Sequence, residues 1–186
     1  WIMTGAAGRS GWRGQAWRLA LWGGLIALWL LPLAAMQVTT EVAWDRQDFV
    51  LFAVMLTVVG GAIEAGVRLS GAPAYRLGVA VAAVAGFLLV WANLAVGVIG
   101  NEENPLNAMF GGILIVGIIG AVIARFRAAG MARTMIAMAV AQVVVAAVAQ
   151  ALGHFIWPMT VVFACVWLGS AALFRKAARS AASTAP

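Results

Sequence analysis

Apolar and polar residues alternate along this chain on the scale of whole helices. Six long apolar runs are separated by short stretches that contain charged residues, Gly, Pro or Asn. Because a helix rises about 1.5 Å per residue, about 20 apolar residues cross the roughly 30 Å hydrocarbon core of a bilayer. The pattern predicts an all-α polytopic membrane protein with six transmembrane helices in one bundle, at residues 17–37, 48–69, 76–100, 105–126, 132–152 and 155–175.

The basic residues predict the orientation of these helices. All of the 12 Lys and Arg residues except Arg46 are grouped around four places: before the first span, in the second and fourth loops, and after the sixth span. Each lies in one of these segments or within the two span residues that adjoin it. Because basic loops stay in the cytoplasm, both termini are expected there. We therefore expect a cytoplasmic segment at 1–16, a transmembrane domain at 17–175 and a cytoplasmic tail at 176–186. The pI near 11.4 then requires no nucleic-acid partner.

The N-terminal region resembles a signal peptide, because a basic stretch precedes an apolar run. The run at 19–35 is longer than a typical signal-peptide core, and Leu33-Ala34-Ala35 is a poor cleavage site. We therefore expect a retained first span. Trp1 and Ile2 precede Met3, which suits a natural start, so no function is assigned to these two residues.

The rarity of reactive side chains excludes several chemistries. The single cysteine, Cys165, allows neither an intramolecular disulfide nor a CxxC redox pair. The single histidine, His154, excludes bis-histidine haem within this chain, and no predicted span has a lysine for a Schiff base. The sequence therefore predicts no catalytic residues, no metal site and no resident cofactor, although bound lipid is expected.

Glu64 is the only acidic residue in the interior of a predicted span, since Asp48 is the first residue of the second span. Charged groups in the membrane are costly and are often functional, which makes a proton or cation site one interpretation. Arg68 follows four residues later on the same helix, so an ordinary ion pair between the two side chains is the simpler interpretation.

The fifth span carries a polar stripe. Gln142, Gln150 and His154 share a helix face with Ala146, since all four occur at intervals of four residues. Such a face should contact other helices through hydrogen bonds, or line an outward-facing pocket or partner site. Asn93, in the outer half of the third span, is a further polar candidate. His154 is also the candidate for a single axial ligand to a pigment or haem supplied by a complex.

The loop before the fourth span is the most polar connection. Glu102 and Glu103 are adjacent, and paired carboxylates can perform acid/base chemistry or bind a divalent cation, although adjacent loop carboxylates are usually only solvated. The following Asn104-Pro105 pair is typical of a capped helix start. Asp45 or Asp48 is expected to cap the second span in the same way.

The segment from Trp91 to Asn107 resembles part of a group of small, uncharacterised multispan proteins of proteobacterial inner membranes. The stretches from Trp44 to Phe49 and from Ile123 to Arg127 are similar as well. The resemblance extends over about the middle half of the chain. It implies a bacterial inner-membrane location, and it implies no activity, cofactor or catalytic residue.

Three functional hypotheses follow. The first is a non-catalytic subunit that packs against other membrane subunits of a larger, energy-converting complex. The second is a small transporter or channel with a path along Asn93, Gln142, Gln150 and Glu64. The third is a lipid or quinone binder, or an enzyme, that works at the periplasmic face through Glu102, Glu103 and His154. The scarcity of reactive groups favours a role without catalysis.

Overall fold

The computed structural model describes residues 7–101 and 103–183, and the side chains from residue 15 onward. These residues form an all-helical structure with a short 3-10 turn at Pro105–Asn107. The α-helices are α1 (Ala7–Ala35), α2 (Arg46–Leu69), α3 (Pro73–Ala95), α4 (Ala108–Ile123), α5 (Ala128–Ala151) and α6 (Trp157–Ser183). Six segments among the described residues are long and apolar enough to cross a membrane, which confirms the predicted all-helical class and fits a multi-pass membrane protein.

Asp45 and Asp48 cap α2 together. The Asp45 carboxylate accepts hydrogen bonds from the backbone N–H groups of Gln47 and Asp48, at 2.7 and 3.0 Å. The Asp48 carboxylate accepts in return from the Asp45 N–H at 2.9 Å. This reciprocal arrangement is a capping box, which satisfies N–H groups that have no partner within the helix. It also places negative charge at the positive end of the helix dipole.

The connection between α3 and α4 departs from the predicted spans. The third span was expected to continue to Gly100, but α3 ends at Ala95. Gly97 and Gly100 have φ angles of 60° and 74°, which leave the helical region and favour glycine. The Asn107 side chain then holds the loop, since it accepts from the Ile99 N–H at 2.8 Å and donates to the Asn101 carbonyl at 2.6 Å. Residues 96–100 are therefore still apolar in sequence, although α3 has already ended.

The turn after α4 also begins earlier than predicted, since α4 ends at Ile123 and not at Phe126. Arg125 and Phe126 have φ angles of 48° and 56°, in the left-handed region that favours glycine. Tyr75 at the start of α3 donates a 2.7 Å hydrogen bond to the Phe126 carbonyl, and its ring packs edge-on against Phe174 of α6. These contacts stabilise the unusual turn from within the protein.

Two helices extend furthest beyond their predicted spans. α1 begins at Ala7, ten residues before the expected start at residue 17. α6 continues to Ser183, and Ala177 is buried although it belongs to the predicted tail. Apolarity marks the part of a helix that suits a membrane, whereas a helix itself ends where its backbone hydrogen bonds end.

The chain forms two compact units, residues 1–64 and 65–186, with the boundary inside α2. In the first unit, Trp22 and Leu25 of α1 lie against Gly60 of α2. Trp29 of α1 donates a 2.9 Å hydrogen bond to the Phe49 carbonyl, and their rings meet edge-on. These contacts of Trp22 and Trp29 pack α1 against α2 within this unit.

The second unit contains α3 to α6, which we call the four-helix unit. α6 packs against both α5 and α3, α5 packs against α4, and α3 makes a smaller contact with α4. A hydrogen bond of 2.9 Å from the Ser170 hydroxyl to the Gly78 carbonyl fixes α6 against α3. The largest fully buried hydrophobic side chains line the interior: Leu89, Ile99, Ile113, Trp167 and Phe174.

The two ends of the four-helix unit differ. The turn end (residues 70–75 and 124–127) brings Tyr75 to the Phe126 carbonyl and to Phe174. The loop end (residues 96–107 and 152–156) brings His154 beside Gly100: a Cβ placed on Gly100 would lie 3.7 Å from the His154 ring. Successive helices of this unit therefore run in opposite directions.

Candidate functional site

Some buried polar side chains of the four-helix unit have ordinary structural partners. Ser170 donates to the Gly78 carbonyl, and Tyr75 donates to the Phe126 carbonyl. Thr134 donates back to the Gly130 carbonyl of its own helix at 3.2 Å. Each of these bonds offsets the desolvation of the buried group, so each side chain is explained by packing alone.

Four other polar side chains are not explained in this way. Gln142 and Trp167 are 0% exposed and Thr160 is 1% exposed, and none of their side-chain nitrogen and oxygen atoms has a hydrogen-bond partner in the protein. The buried carbonyl oxygen of the Asn93 side chain is also unpartnered. We call Asn93, Gln142, Thr160 and Trp167 the interior polar set. A buried polar group without a partner costs about 1–3 kcal/mol.

The two innermost members lie at the same depth. Trp167 follows the first residue of α6 by ten positions, and Gln142 precedes the last residue of α5 by nine. At about 1.5 Å per residue both lie roughly 14–15 Å from the loop end, close to the middle of a membrane-spanning helix. α5 and α6 are directly packed neighbours. The two side chains nevertheless do not hydrogen-bond to each other.

The other two members lie nearer the loop end. Thr160 is three residues inside α6, and Asn93 is two residues before the end of α3. The Asn93 amide nitrogen donates to the Leu89 carbonyl at 2.7 Å, which leaves its oxygen as an acceptor. The interior polar set therefore forms a series from the loop end to the middle of the four-helix unit.

The chemistry of the interior polar set is neutral. Gln142 provides a donor and an acceptor in one amide plane, Trp167 provides only a donor, and Thr160 provides a hydroxyl that can do either. None of these groups titrates near neutral pH. Across residues 7–101 and 103–183, no cluster of three or more His, Cys, Asp or Glu side chains is arranged to hold a metal ion.

The predicted polar stripe on α5 divides between the interior and the surface. Gln142 is enclosed, but Gln150 is exposed and the neighbouring Ala149 is buried instead. A helix turns about 100° per residue, so residues eight positions apart differ by about 80° around the axis. His154 lies beyond the end of α5 and is half-buried against the loop that contains Gly100.

Glu64 belongs to a separate polar cluster in the first unit. Arg18 of α1 forms an ion pair with its carboxylate at 2.5 Å, and the Trp22 indole donates to the other carboxylate oxygen at 3.0 Å. Neither contact follows from spacing along one helix, so sequence analysis missed both. The expected pairing of Glu64 with Arg68 stays a prediction.

The remaining sequence candidates lie at the loop end. Glu103 is exposed, and Glu102 lies outside the described residues. Asn104 caps the 3-10 turn by accepting from the Leu106 N–H at 3.0 Å, so the expected cap precedes this turn rather than α4 directly. These positions provide a solvated surface and no enclosed acid/base pair among the described residues.

Thr160 and Trp167 are the site residues that sequence analysis missed. Tryptophan is common in membrane proteins, and a single threonine in an apolar helix attracts little notice. A signal existed in their spacing, because Thr160 and Trp167 are seven residues apart and Ser170 follows three residues later on the same face of α6.

Comparison of the chain with protein-family models, with curated proteins and with solved structures found no match.

Proposed function

We propose that this protein binds a small uncharged polar solute inside its four-helix unit and passes it across a bacterial inner membrane. The observation that carries the proposal is Gln142, a completely buried side chain whose amide oxygen and nitrogen both lack a partner in the protein. A polar side chain inside a membrane protein is expected to face helices that satisfy it, or a polar species within the bundle.

A purely structural role explains Gln142 less well. Ser170 shows how this bundle uses a polar group for packing: its hydroxyl reaches the Gly78 carbonyl on the neighbouring helix. Gln142 is longer and has more donors and acceptors, yet it makes no such bond. Its nearest equivalent in depth, Trp167, is likewise unsatisfied. A bound molecule that accepts a hydrogen bond from the Trp167 indole and also hydrogen-bonds to the Gln142 amide would satisfy both side chains.

The proposed route begins at the loop end. Asn93 and Thr160 lie closer to that end than Gln142 and Trp167 do, so they provide intermediate polar contacts. By the distribution of basic residues the loop end faces the periplasm, and both termini lie in the cytoplasm. On the side of Gln142 away from the loop end, the Ser170 hydroxyl is hydrogen-bonded to the Gly78 carbonyl of α3. Movement of a solute past the middle of the unit therefore requires rearrangement of α6 against α3.

Solute flux into proteoliposomes tests the proposal. Purified protein is reconstituted, and vesicle swelling after mixing with urea, acetamide or glycerol is followed by light scattering. We expect faster entry of at least one solute than into protein-free vesicles. Gln142→Leu should abolish the difference, because leucine fills the same position without a donor or an acceptor.

Gln150→Leu is the matched control, since it makes the same change on the same helix at an exposed position. It should leave flux unchanged. Equal loss in both variants would contradict a role for the interior polar set. Absence of flux for all three solutes in correctly folded protein would contradict the proposed function.

A second candidate is the non-catalytic subunit of a larger membrane complex. Its supporting observation is α1, since no residue in the apolar window of Gln15–Ala35 is buried within the described structure. Gly23 and Gly24 on this helix have open space beside them, which allows close approach of another helix. Purification from native membranes in a mild detergent tests it, and recovery of only a free monomer would contradict it.

The periplasmic-face hypothesis has no comparable support. Glu103 and His154 lie at the loop end, where Glu103 is exposed, and the described residues contain no cluster of three or more His, Cys, Asp or Glu side chains that could hold a metal ion. A lipid or quinone binder therefore stays a prediction from the sequence, for which mass spectrometry of co-purified molecules is the measurement.

A further inference from the structure

The donors and acceptors of the interior polar set define the solute more narrowly. We infer that it is a small primary amide or a urea, an inference that rests on the proposed function and specifies its substrate class. The relevant groups are the Gln142 amide, the Trp167 indole N–H and the Thr160 hydroxyl, all at most 1% exposed and all without a protein partner.

The Gln142 amide is the basis of this inference. Its oxygen accepts and its nitrogen donates within a single plane. A ligand with a carbonyl and an N–H in one plane bonds both atoms at once, as glutamine does with the edge of an adenine base. Primary amides and ureas have this planar pair, and water or an aliphatic alcohol does not.

Trp167 adds a requirement for an acceptor. Its indole N–H only donates, and it lies at the same depth as Gln142 on the adjacent helix. A ligand carbonyl has two lone pairs, so one oxygen can accept from the Gln142 nitrogen and from the Trp167 N–H. Thr160 lies about two turns nearer the loop end. Its hydroxyl can accept from the N–H of a solute molecule on its way to or from Gln142.

Charge and size set further limits. The interior polar set contains no charged side chain, so a carboxylate or an ammonium ion would enter without a counter-charge at a large desolvation cost. Gln142, Thr160 and Trp167 are each at most 1% exposed within packed helices, which leaves room for few additional atoms. The solute should therefore be neutral and of few atoms.

The experiment compares two classes of neutral solute in the same vesicles. Urea and acetamide contain the planar carbonyl and N–H pair, whereas glycerol has only hydroxyl groups. We expect urea and acetamide to enter faster than glycerol, each measured relative to protein-free vesicles. Trp167→Phe and Thr160→Val remove one polar group each while keeping most of the side-chain volume. Each should slow urea entry by about tenfold, the effect of one lost hydrogen bond.

The outcomes separate this inference from the proposed function. Faster glycerol entry that disappears in Gln142→Leu would overturn the amide assignment and leave the proposed function intact. No entry of any solute would overturn both. Unchanged urea entry in Thr160→Val and Trp167→Phe would overturn the assigned contacts. Helicity and a single elution peak establish that each variant is folded, and Thr160→Val alone suffices if the larger Trp167 change disturbs packing.

Discussion

At the scale of single residues, Gln142 and Ser170 show two uses of polarity inside one helical bundle. Ser170 donates to a backbone carbonyl of a neighbouring helix, so its burial is compensated. Gln142 is equally buried and has no protein partner for either amide atom. A buried amide without a partner is unfavourable by about 1–3 kcal/mol, and the proposed binding role would offset that cost.

Gln142→Leu should therefore stabilise the solute-free protein while it removes binding. Replacing the unsatisfied amide by an apolar side chain of similar size should raise the free energy of unfolding by about 1–3 kcal/mol. Thermal unfolding in detergent without added solute measures this change. Gln150→Leu, at an exposed position, should have a much smaller effect. A destabilised Gln142→Leu protein would indicate that the amide has a structural partner.

The Arg18–Glu64 pair is the clearest electrostatic contact of the first unit. The Arg18 side chain is 48% exposed and that of Glu64 only 11%, so solvent screens the pair in part. A double-mutant cycle with Arg18→Gln and Glu64→Gln should give a coupling energy between about 1 and 3 kcal/mol. This value is larger than that of an exposed ion pair and smaller than that of a fully buried ion pair. The coupling energy is obtained from the unfolding free energies of the unchanged protein, the two single variants and the double variant. A coupling energy near zero would contradict the contact.

At the scale of helices, close packing depends on which glycine faces a neighbour. A Cβ on Gly120 of α4 would lie 2.6 Å from the Thr134 methyl group and 2.7 Å from its hydroxyl. A Cβ on Gly117 would meet Met138 at 2.7 Å. Gly111, on the same helix, has nothing within 4 Å. Gly117 and Gly120 therefore allow the close contact between α4 and α5, whereas Gly111 does not contribute to it.

Gly120→Ala should destabilise the protein by about 1–3 kcal/mol, because Thr134 is β-branched and can move little. Gly111→Ala is the matched control and should be neutral or stabilising by up to about 1 kcal/mol, since alanine favours helix more than glycine does. The unfolding midpoints of the two variants provide the comparison. Equal destabilisation by both changes would argue against the described packing of α4 on α5.

Capping residues were predicted better than helix ends. The Asp45–Asp48 capping box of α2 follows from local sequence, as does the Asn104 cap, but Asn104 caps the 3-10 turn and α4 begins only at Ala108. The ends of α3 at Ala95 and of α4 at Ile123 were misplaced, because the residues after them are still apolar. Hydrogen bonds outside the helices accompany those ends: Ile99 bonds to Asn107 within the loop after α3, and Tyr75 bonds to the Phe126 carbonyl, 51 residues away, in the turn after α4.

At the scale of the whole molecule, the orientation of the six spans is a prediction from charge alone. We expect a cysteine at Glu103 to react with a membrane-impermeant thiol reagent only from the periplasm, and one at Ser183 only from the cytoplasm. Cys165 is exposed and must first be replaced by serine. Labelling of Glu103→Cys only from the cytoplasmic side would reverse the orientation of the proposed route.

The sequence by itself determined the class of this protein, because the cost of placing charge and unpaired backbone in lipid forces long apolar helices with charged ends. It also identified Gln142 as a residue that needs explanation. Only the tertiary structure decided that Gln142 is enclosed while Gln150 is exposed, and that Thr160 and Trp167 belong with it. It likewise brought Arg18 and Trp22 to Glu64. Helix periodicity states which residues share a face, but which neighbour covers that face depends on contacts between residues far apart in the chain.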